Sequence, residues 1–357
     1  MVAASIVAKV LSQAITLATH SWEYGTVSEA LMEWQNPEFS VFGPNPFPNG
    51  KILTLDINKV EALSYVKPHI RTNNVTLVDG DGASGDPASV GVPALLIGQT
   101  YSEYTAAAQR QEAHLVSDVP RWPNGAISQR EAYPELWADF MYMAPPFLAY
   151  YAVVTADLDL LKQAAQQCLL YHDVLSTNLG PWHHIVGPVS QDLGLWSTGN
   201  GWAAAGMARV LATMMKSPFS GATKNEQNAL ITDIKTIIDG AIKLDTDSSG
   251  LLRNYLNDTT WYGEISGTAM LTATSYRMAV LAPSQFGAKY TTWANKKLQV
   301  VDGCINTTTG IVAPAVNPLW WEDPTPFTAG SPEGQSFVVL MHAAYRDWSP
   351  KGGRKCR

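Results

Sequence analysis

Charge is scarce in this chain: only 15% of its residues are Asp, Glu, Lys or Arg, and the formal net charge is −7. No basic stripe is present to neutralise phosphates, so nucleic acid is not an expected partner. The one basic cluster, Lys351 to Arg357, sits at the C-terminal end and is expected to be a disordered tail. Cysteine is scarcer still. Cys168, Cys304 and Cys356 are odd in number and lack CxxC spacing, so neither a disulfide framework nor a zinc site is expected; at most one pair could form. Long apolar runs are also missing. No stretch of about 18 consecutive apolar residues occurs, so no membrane span is expected. Val2 to Leu17 is apolar but broken by Ser5, Lys9, Ser12 and Gln13 at amphipathic spacing, with no small-residue cleavage site. It reads as a first core helix rather than a signal peptide. Asn74, Asn257 and Asn306 nevertheless head Asn-x-Thr sequons, which permit glycosylation of a secreted chain. An extracellular location is the expectation, with the cytoplasm as the alternative. There is no G-x-S-x-G elbow and no HExxH, so serine hydrolase and metallopeptidase readings lack support.

Apolar and aromatic residues are what the chain has in quantity. It is 357 residues long and 46% hydrophobic, with 12 Trp and 14 Tyr. That suits a compact globule with an aromatic-lined cleft. The most apolar and aromatic run is Tyr133 to Tyr151, YPELWADFMYMAPPFLAYY, with one acid, Asp139, in its middle. Leu136, Phe140, Met143 and Phe147 recur at helical spacing, which predicts a buried helix over about 134–153. A carboxyl walled by Trp137, Tyr142 and Met143 loses solvation and can hold a proton near neutral pH, as a general acid must. The bland reading is an Asp paired with an Arg across the core. Pro145 and Pro146 should interrupt the helix just beyond.

Helical patterns run through the whole chain. The candidates are roughly 2–20, 26–35, 56–66, 87–98, 100–117, 134–153, 157–176, 200–216, 224–243, 265–281, 284–301 and 333–347. Asp86-Pro87 and Ser331-Pro332 with Glu333 supply start signals. Periodicity alone gives an all-α fold of helical hairpins. Six hairpins suggest closure into two concentric helix layers, an (α/α)6 barrel. One domain is expected over residues 1–347, followed by a basic tail over 348–357. The long loops, 36–55, 118–132, 177–198 and 303–332, have the lengths that function favours.

Four stretches carry candidate chemistry. VTLVDGDGASG, residues 75–85, matches G-x-G-x-x-G literally, but Asp79, Asp81 and Asp86 would repel a pyrophosphate and no βαβ unit follows. A calcium loop fails as well, because Ala83 and Val90 fall where ligands are needed. Asp86 is expected as a helix N-cap that can also face a cleft. In PWHHI, residues 181–185, adjacent His183 and His184 point apart, so at most one faces a pocket, and a structural histidine is the plainer reading. In LWSTGNGW, residues 195–202, Asn200 can cap the following helix, while Trp196 and Trp202 offer flat faces suited to sugar rings; two core tryptophans are the alternative. GEISGTAM, residues 263–270, is another polar turn feeding a helix.

Together, LWADFMYMAPPFLA, LWSTGNGWAAAGM, GEISGTAM and the closing GQSFVVLMHAAYRDW resemble the landmarks of unsaturated rhamnogalacturonyl hydrolases, glycoside hydrolase family 105, related to family 88. The similarity spans about residues 80 to 347 and looks nearest to fungal six-hairpin members. The resemblance implies the (α/α)6 barrel and a reaction that removes a 4,5-unsaturated uronic acid from lyase-generated oligosaccharides. An aspartate protonates C4, water adds at C5, and the hemiketal collapses to release the sugar. No glycosyl-enzyme forms, unlike the usual two-carboxylate schemes. On this chain the catalytic W-x-D aspartate is Asp139 and the second aspartate Asp86. Trp137, His183 or His184, Trp196, Thr198, Asn200, Trp202 and Glu264 fall among the substrate-binding positions. Many bacterial members carry Arg at the place of Thr198 and His near Gln129; Arg130 is the candidate replacement cation. An oligosaccharide is the implied partner, with no metal, no cofactor and a monomeric chain. Two alternatives remain: a hydrolase of saturated uronosides using Asp139 and Asp86 as acid and base, and a degenerate sugar-binding member.

Overall fold

The structure is a computed structural model that describes residues 2–349. The expected basic tail, from Pro350 onward, lies outside the described residues. Twelve α-helices follow one another among those residues: α1 (Ala4–Leu17), α2 (Ser21–Gln35), α3 (Glu61–Val66), α4 (Gly91–Gly98), α5 (Ser102–Ala113), α6 (Phe140–Thr155), α7 (Leu158–Leu175), α8 (Ser197–Lys216), α9 (Lys224–Leu244), α10 (Ile265–Leu281), α11 (Ala288–Gly303) and α12 (Pro332–Trp348).

The sequence sorts them into two layers. Helices α6, α8 and α10 are buried on nearly every side, which only an inner position allows. Helices α7 and α9 bury one stripe each; in α7 it is Leu160, Leu161, Ala164, Ala165, Cys168, Tyr171 and Leu175. Such helices belong outside. The ring runs α2, α12, α10, α8, α6, and returns to α2 through α4 and the short 3-10 turn Asp86–Val90. Outer helices α3, α5, α7, α9 and α11 back α2, α4, α6, α8 and α10 in turn, and α1 backs α12 and α2. The fold is therefore a closed (α/α)6 barrel of six hairpins.

Helix α6 differs from its expected form. It starts at Phe140, not near 134, because Leu136–Trp137 (β1) is extended and pairs antiparallel with Ile185–Val186 (β2). Asp139 thus sits at the helix mouth rather than mid-helix. The prolines do not interrupt it either; α6 runs on to Thr155. Pro145 and Pro146 strip hydrogen bonds from the Met141 and Tyr142 carbonyls, but α8 presses against that spot. A Cβ added at Gly206 would lie 2.0 Å from the Met141 carbonyl oxygen, so only glycine permits the approach.

The centre of the ring is polar. Arg209 on α8 lies 2.6 Å from Glu29 and 2.5 Å from Glu33, both on α2. Arg277 on α10 lies 2.7 Å from Glu33 and 2.6 Å from Asp347 on α12. Tyr142 on α6 donates to Glu29 at 2.7 Å. Phe42, from the segment after α2, sits against both guanidinium groups, at 5.3 and 4.4 Å from ring centroid to carbon. Burial raises the Glu29 carboxyl above its ordinary value, against the pull of Arg209. Removing one partner of a buried pair strands the other's charge. Glu33→Ala should therefore cost about 3–5 kcal/mol in urea unfolding, the range for a broken buried pair. An exposed pair such as Lys59 with Asp56 should give less than about 1 kcal/mol when broken. Equal costs for the two would contradict a structural role for the network.

Candidate active site

Four long loops enter the barrel at the same end, each just ahead of an inner helix; another, 36–60, leads instead into the outer helix α3. Residues 118–139 lead into α6, 176–196 into α8, 245–264 into α10 and 304–331 into α12. The inner helix N-termini consequently surround one opening, and their dipoles make it attractive to anions. A pocket of about 810 Å³ lies there. Asp86, Asp139, Glu333, Arg130 and His184 supply its polar groups, and Trp22, Trp137, Trp196, Trp321 and Met143 its apolar wall. A second cavity, about 520 Å³, lies beside Glu29, Arg209 and Tyr150; its charged groups are engaged with one another.

The β1–β2 pairing brings the two key side chains together, since the Ala138 amide donates to the His184 carbonyl at 2.9 Å. His184 Nε2 then lies 3.3 Å from Asp139 Oδ2, and its Nδ1 lies 2.9 Å from Asp192 Oδ2. Tyr255 donates to the same Asp192 oxygen at 2.5 Å, and the Gly194 amide donates to the other at 2.8 Å. Burial alone would lower the His184 value, but Asp139 and Asp192 outweigh it and hold the imidazole above its ordinary value. Burial likewise works to raise Asp192, yet His184 and Tyr255 bring it below the usual carboxylate range. The imidazole is boxed by tryptophans: Trp196 at 4.3 Å, Trp321 at 5.0 Å and Trp137 at 5.7 Å between ring centroids.

Asp86 does not cap a helix. Gly85 occupies the N-cap position, Asp86 is the first residue of the 3-10 turn, and its carboxylate accepts from Gln129 Nε2 at 2.8 Å. Burial pushes its pKa up to about 7, helped by the charge of Asp139 and opposed by Gln129, Arg130 and His20. Arg130 donates to the Asp81 carbonyl at 3.3 Å, and its guanidinium sits 5.9 Å from the Trp137 ring centroid. Trp137 is fixed by Glu135, which accepts from its Nε1 at 2.8 Å.

Of the residues expected at the site, Asp86, Asp139, Trp137, Arg130, His184 and Trp196 line one pocket. The others do not. His183 turns away and lies 2.6 Å from the Leu193 carbonyl. Asn200 is no cap and no sugar contact; it is fully buried and bridges the backbone of Trp182 and Trp196. Trp202 is covered by Tyr142 and Phe337, leaving no face for a sugar. Thr198 is fully buried behind the pocket. Glu264 caps α10, accepting from the Ser266 and Gly267 amides and from Ser197 Oγ. Sequence reasoning missed Asp192, Trp22, Trp321 and, as a pocket residue, Glu333. Among the described residues no cluster of three or more His, Cys, Asp or Glu could hold a metal.

A closed (α/α)6 barrel whose helix N-termini enclose the carboxyls of Asp86, Asp139 and Glu333 and a tryptophan box defines a glycan-processing enzyme. The family model for Glycosyl Hydrolase Family 88 matches residues 83–307, well over half of the chain. The chain belongs to that family and is a glycoside hydrolase. Solved structures with the same fold include a "possible member of GH105 family" from Klebsiella pneumoniae subsp. pneumoniae MGH 78578. It is 16% identical with a TM-score of 0.75, and the match covers 98% of this chain and 95% of that one. A glycoside hydrolase from family 105 of C. acetobutylicum ATCC 824 is 14% identical, with a TM-score of 0.74 and coverage of 96% and 99%. An unsaturated glucuronyl hydrolase specific for heparin is 10% identical, with a TM-score of 0.61 and coverage of 96% and 95%. A search of curated proteins finds no match.

The raised Asp86 value, about 7, fixes a sign. Against an unfolded value of about 3.9, its favourable contribution is whole below about pH 3.9 and lost as pH rises through about 7. Asp86→Asn should melt at or above the wild-type temperature at pH 8, with any advantage gone by pH 4. A variant less stable than wild type at pH 8 would mean that the carboxylate is structurally required.

Proposed function

We propose that the enzyme removes a terminal 4,5-unsaturated uronic acid from an oligosaccharide by acid-catalysed hydration of its double bond. The observation that carries this is the contact between Asp139 and His184, whose imidazole is held above its ordinary value, inside a tryptophan-lined pocket. Protonating a vinyl-ether carbon needs a proton donor and a wall that stabilises the flat, electron-poor ring. It does not need a nucleophile poised at the anomeric carbon. Asp139 faces the pocket and His184 stands 3.3 Å behind it. Asp139 passes a proton to C4, and His184, held above its ordinary value, restores it. Positive charge develops at C5 and the ring oxygen. Water adds at C5, losing its proton to Asp86, whose value near 7 suits a base at neutral pH. The C5 hemiketal opens to a ketone, leaving a hemiacetal at C1, which expels the remainder of the oligosaccharide as an alcohol.

The helix N-termini, Arg130 and His184 support binding of an anionic sugar despite the carboxyls nearby. The family membership and the neighbour described as an unsaturated glucuronyl hydrolase agree with this substrate class.

Loss of ultraviolet absorbance from the conjugated double bond of lyase-generated oligosaccharides measures the activity. Asp139→Asn should keep the wild-type circular dichroism and lose at least about a hundredfold in turnover, the low end for general acid catalysis. A folded variant with wild-type turnover would remove Asp139 from the mechanism. Wild-type enzyme acting equally on saturated uronosides would favour direct glycoside hydrolysis by Asp139 and Asp86.

A further inference from the structure

One pocket carboxyl has no part in the chemistry above. Glu333 is the second residue of α12, and it is only 3% exposed although it lines the pocket beside Asp86 and Asp139. Its two oxygens differ. Oε1 accepts a hydrogen bond from Trp22 Nε1 at 2.6 Å. Oε2 is buried and meets no hydrogen-bond partner among the described residues. An unused oxygen on a buried acid is costly unless something satisfies it.

The surroundings decide its state. Glu23 on α2, Asp139 at the start of α6 and Asp86 ahead of α4 all bear on Glu333, and all are acids. His20, Arg130 and His184 are the basic side chains on the same side of the barrel, and each is engaged elsewhere: His20 with Glu23, Arg130 with the Asp81 carbonyl, and His184 with Asp139 and Asp192. The carboxyl is raised well above its ordinary value, first by burial and then by these acids. A neutral carboxyl has one hydroxyl to donate. With Oε1 taken by an N–H donor, the proton belongs on Oε2.

We propose that Glu333 is a substrate-binding residue that works uncharged, donating from Oε2 to an oxygen of the terminal sugar. This rests on the reading of the pocket as a uronate site and adds a neutral donor to its specificity. It grips the sugar without adding a negative charge that would repel the substrate carboxylate. The residue is a binding group only; no proton leaves it during the reaction.

Glutamine reproduces the neutral acid: its oxygen can accept from Trp22 and its amide can donate where Oε2 stands. Calorimetric titration with a lyase-generated unsaturated uronyl disaccharide and with its saturated counterpart reads binding separately from turnover. Glu333→Gln should bind within about threefold of wild type, and Glu333→Ala at least about tenfold more weakly, the scale of one lost buried hydrogen bond. In Glu333→Ala, KM should rise while kcat changes little. Two results would overturn the proposal: Glu333→Gln binding as weakly as Glu333→Ala, or Glu333→Ala binding like wild type. Binding by wild type without turnover would fail the reaction reading alone; no binding of either disaccharide would fail both.

Discussion

The site depends on the arginine–carboxylate network at the centre of the ring. Glu29 and Glu33 on α2, Tyr142 on α6, Arg209 on α8, Arg277 on α10 and Asp347 on α12 tie five of the six inner helices to one another. Hydrophobic burial would drive these helices together but leaves each free to slide along its neighbour. Charge contacts shared between helices fix the axial register. That register matters because the pocket's polar groups come from four separate segments of the chain. Asp86 precedes α4, Asp139 precedes α6, His184 lies in the loop before α8, and Glu333 opens α12. A slip of one residue along a helix, about 1.5 Å, would turn a 3.3 Å contact into none.

Above that frame the site runs as a chain of hydrogen-bonding groups. Tyr255 holds Asp192, Asp192 holds His184, and His184 faces Asp139. Each link restricts the next: Asp192 holds Nδ1 by a hydrogen bond, which leaves Nε2 turned toward Asp139 at 3.3 Å. The tryptophans around it exclude water and strengthen the charge contacts they enclose. Acids at helix N-termini are also in favourable positions, which is how the pocket tolerates Asp86, Asp139 and Glu333 together.

Much of this is legible in the sequence. The twelve helices announce themselves through periodicity, and several boundaries agree within a residue or two, as at Lys224–Leu244 and Ile265–Leu281. Asp139 stands out because acids are rare in apolar surroundings, while Asp86 is found through a helix-start signal and the family resemblance. The failures share a cause: a residue near a landmark does not inherit the landmark's direction. Trp196 and Trp202 are six positions apart, which on a helix is about 120° off a common face, so one lines the pocket and the other enters the core. Asn200 and Glu264 spend their polar atoms on backbone groups that no pattern in a single sequence identifies. Glu333 is visible only as part of a helix-start signal; its burial depends on Trp22, 311 residues away. Asp192 and Trp321 sit in loops without periodicity; pairing of Ile185 with Asp192 within one loop brings the first beside His184, and only the closed ring brings the second.

The central claim is that a proton is delivered to carbon, not to a glycosidic oxygen. The most direct test is the position of the solvent atoms in the released uronate. A reaction run in heavy, oxygen-18-labelled water should place one deuterium at C4 and the labelled oxygen at C5, read by mass spectrometry and carbon NMR. Label at the anomeric carbon with no deuterium at C4 would contradict the account.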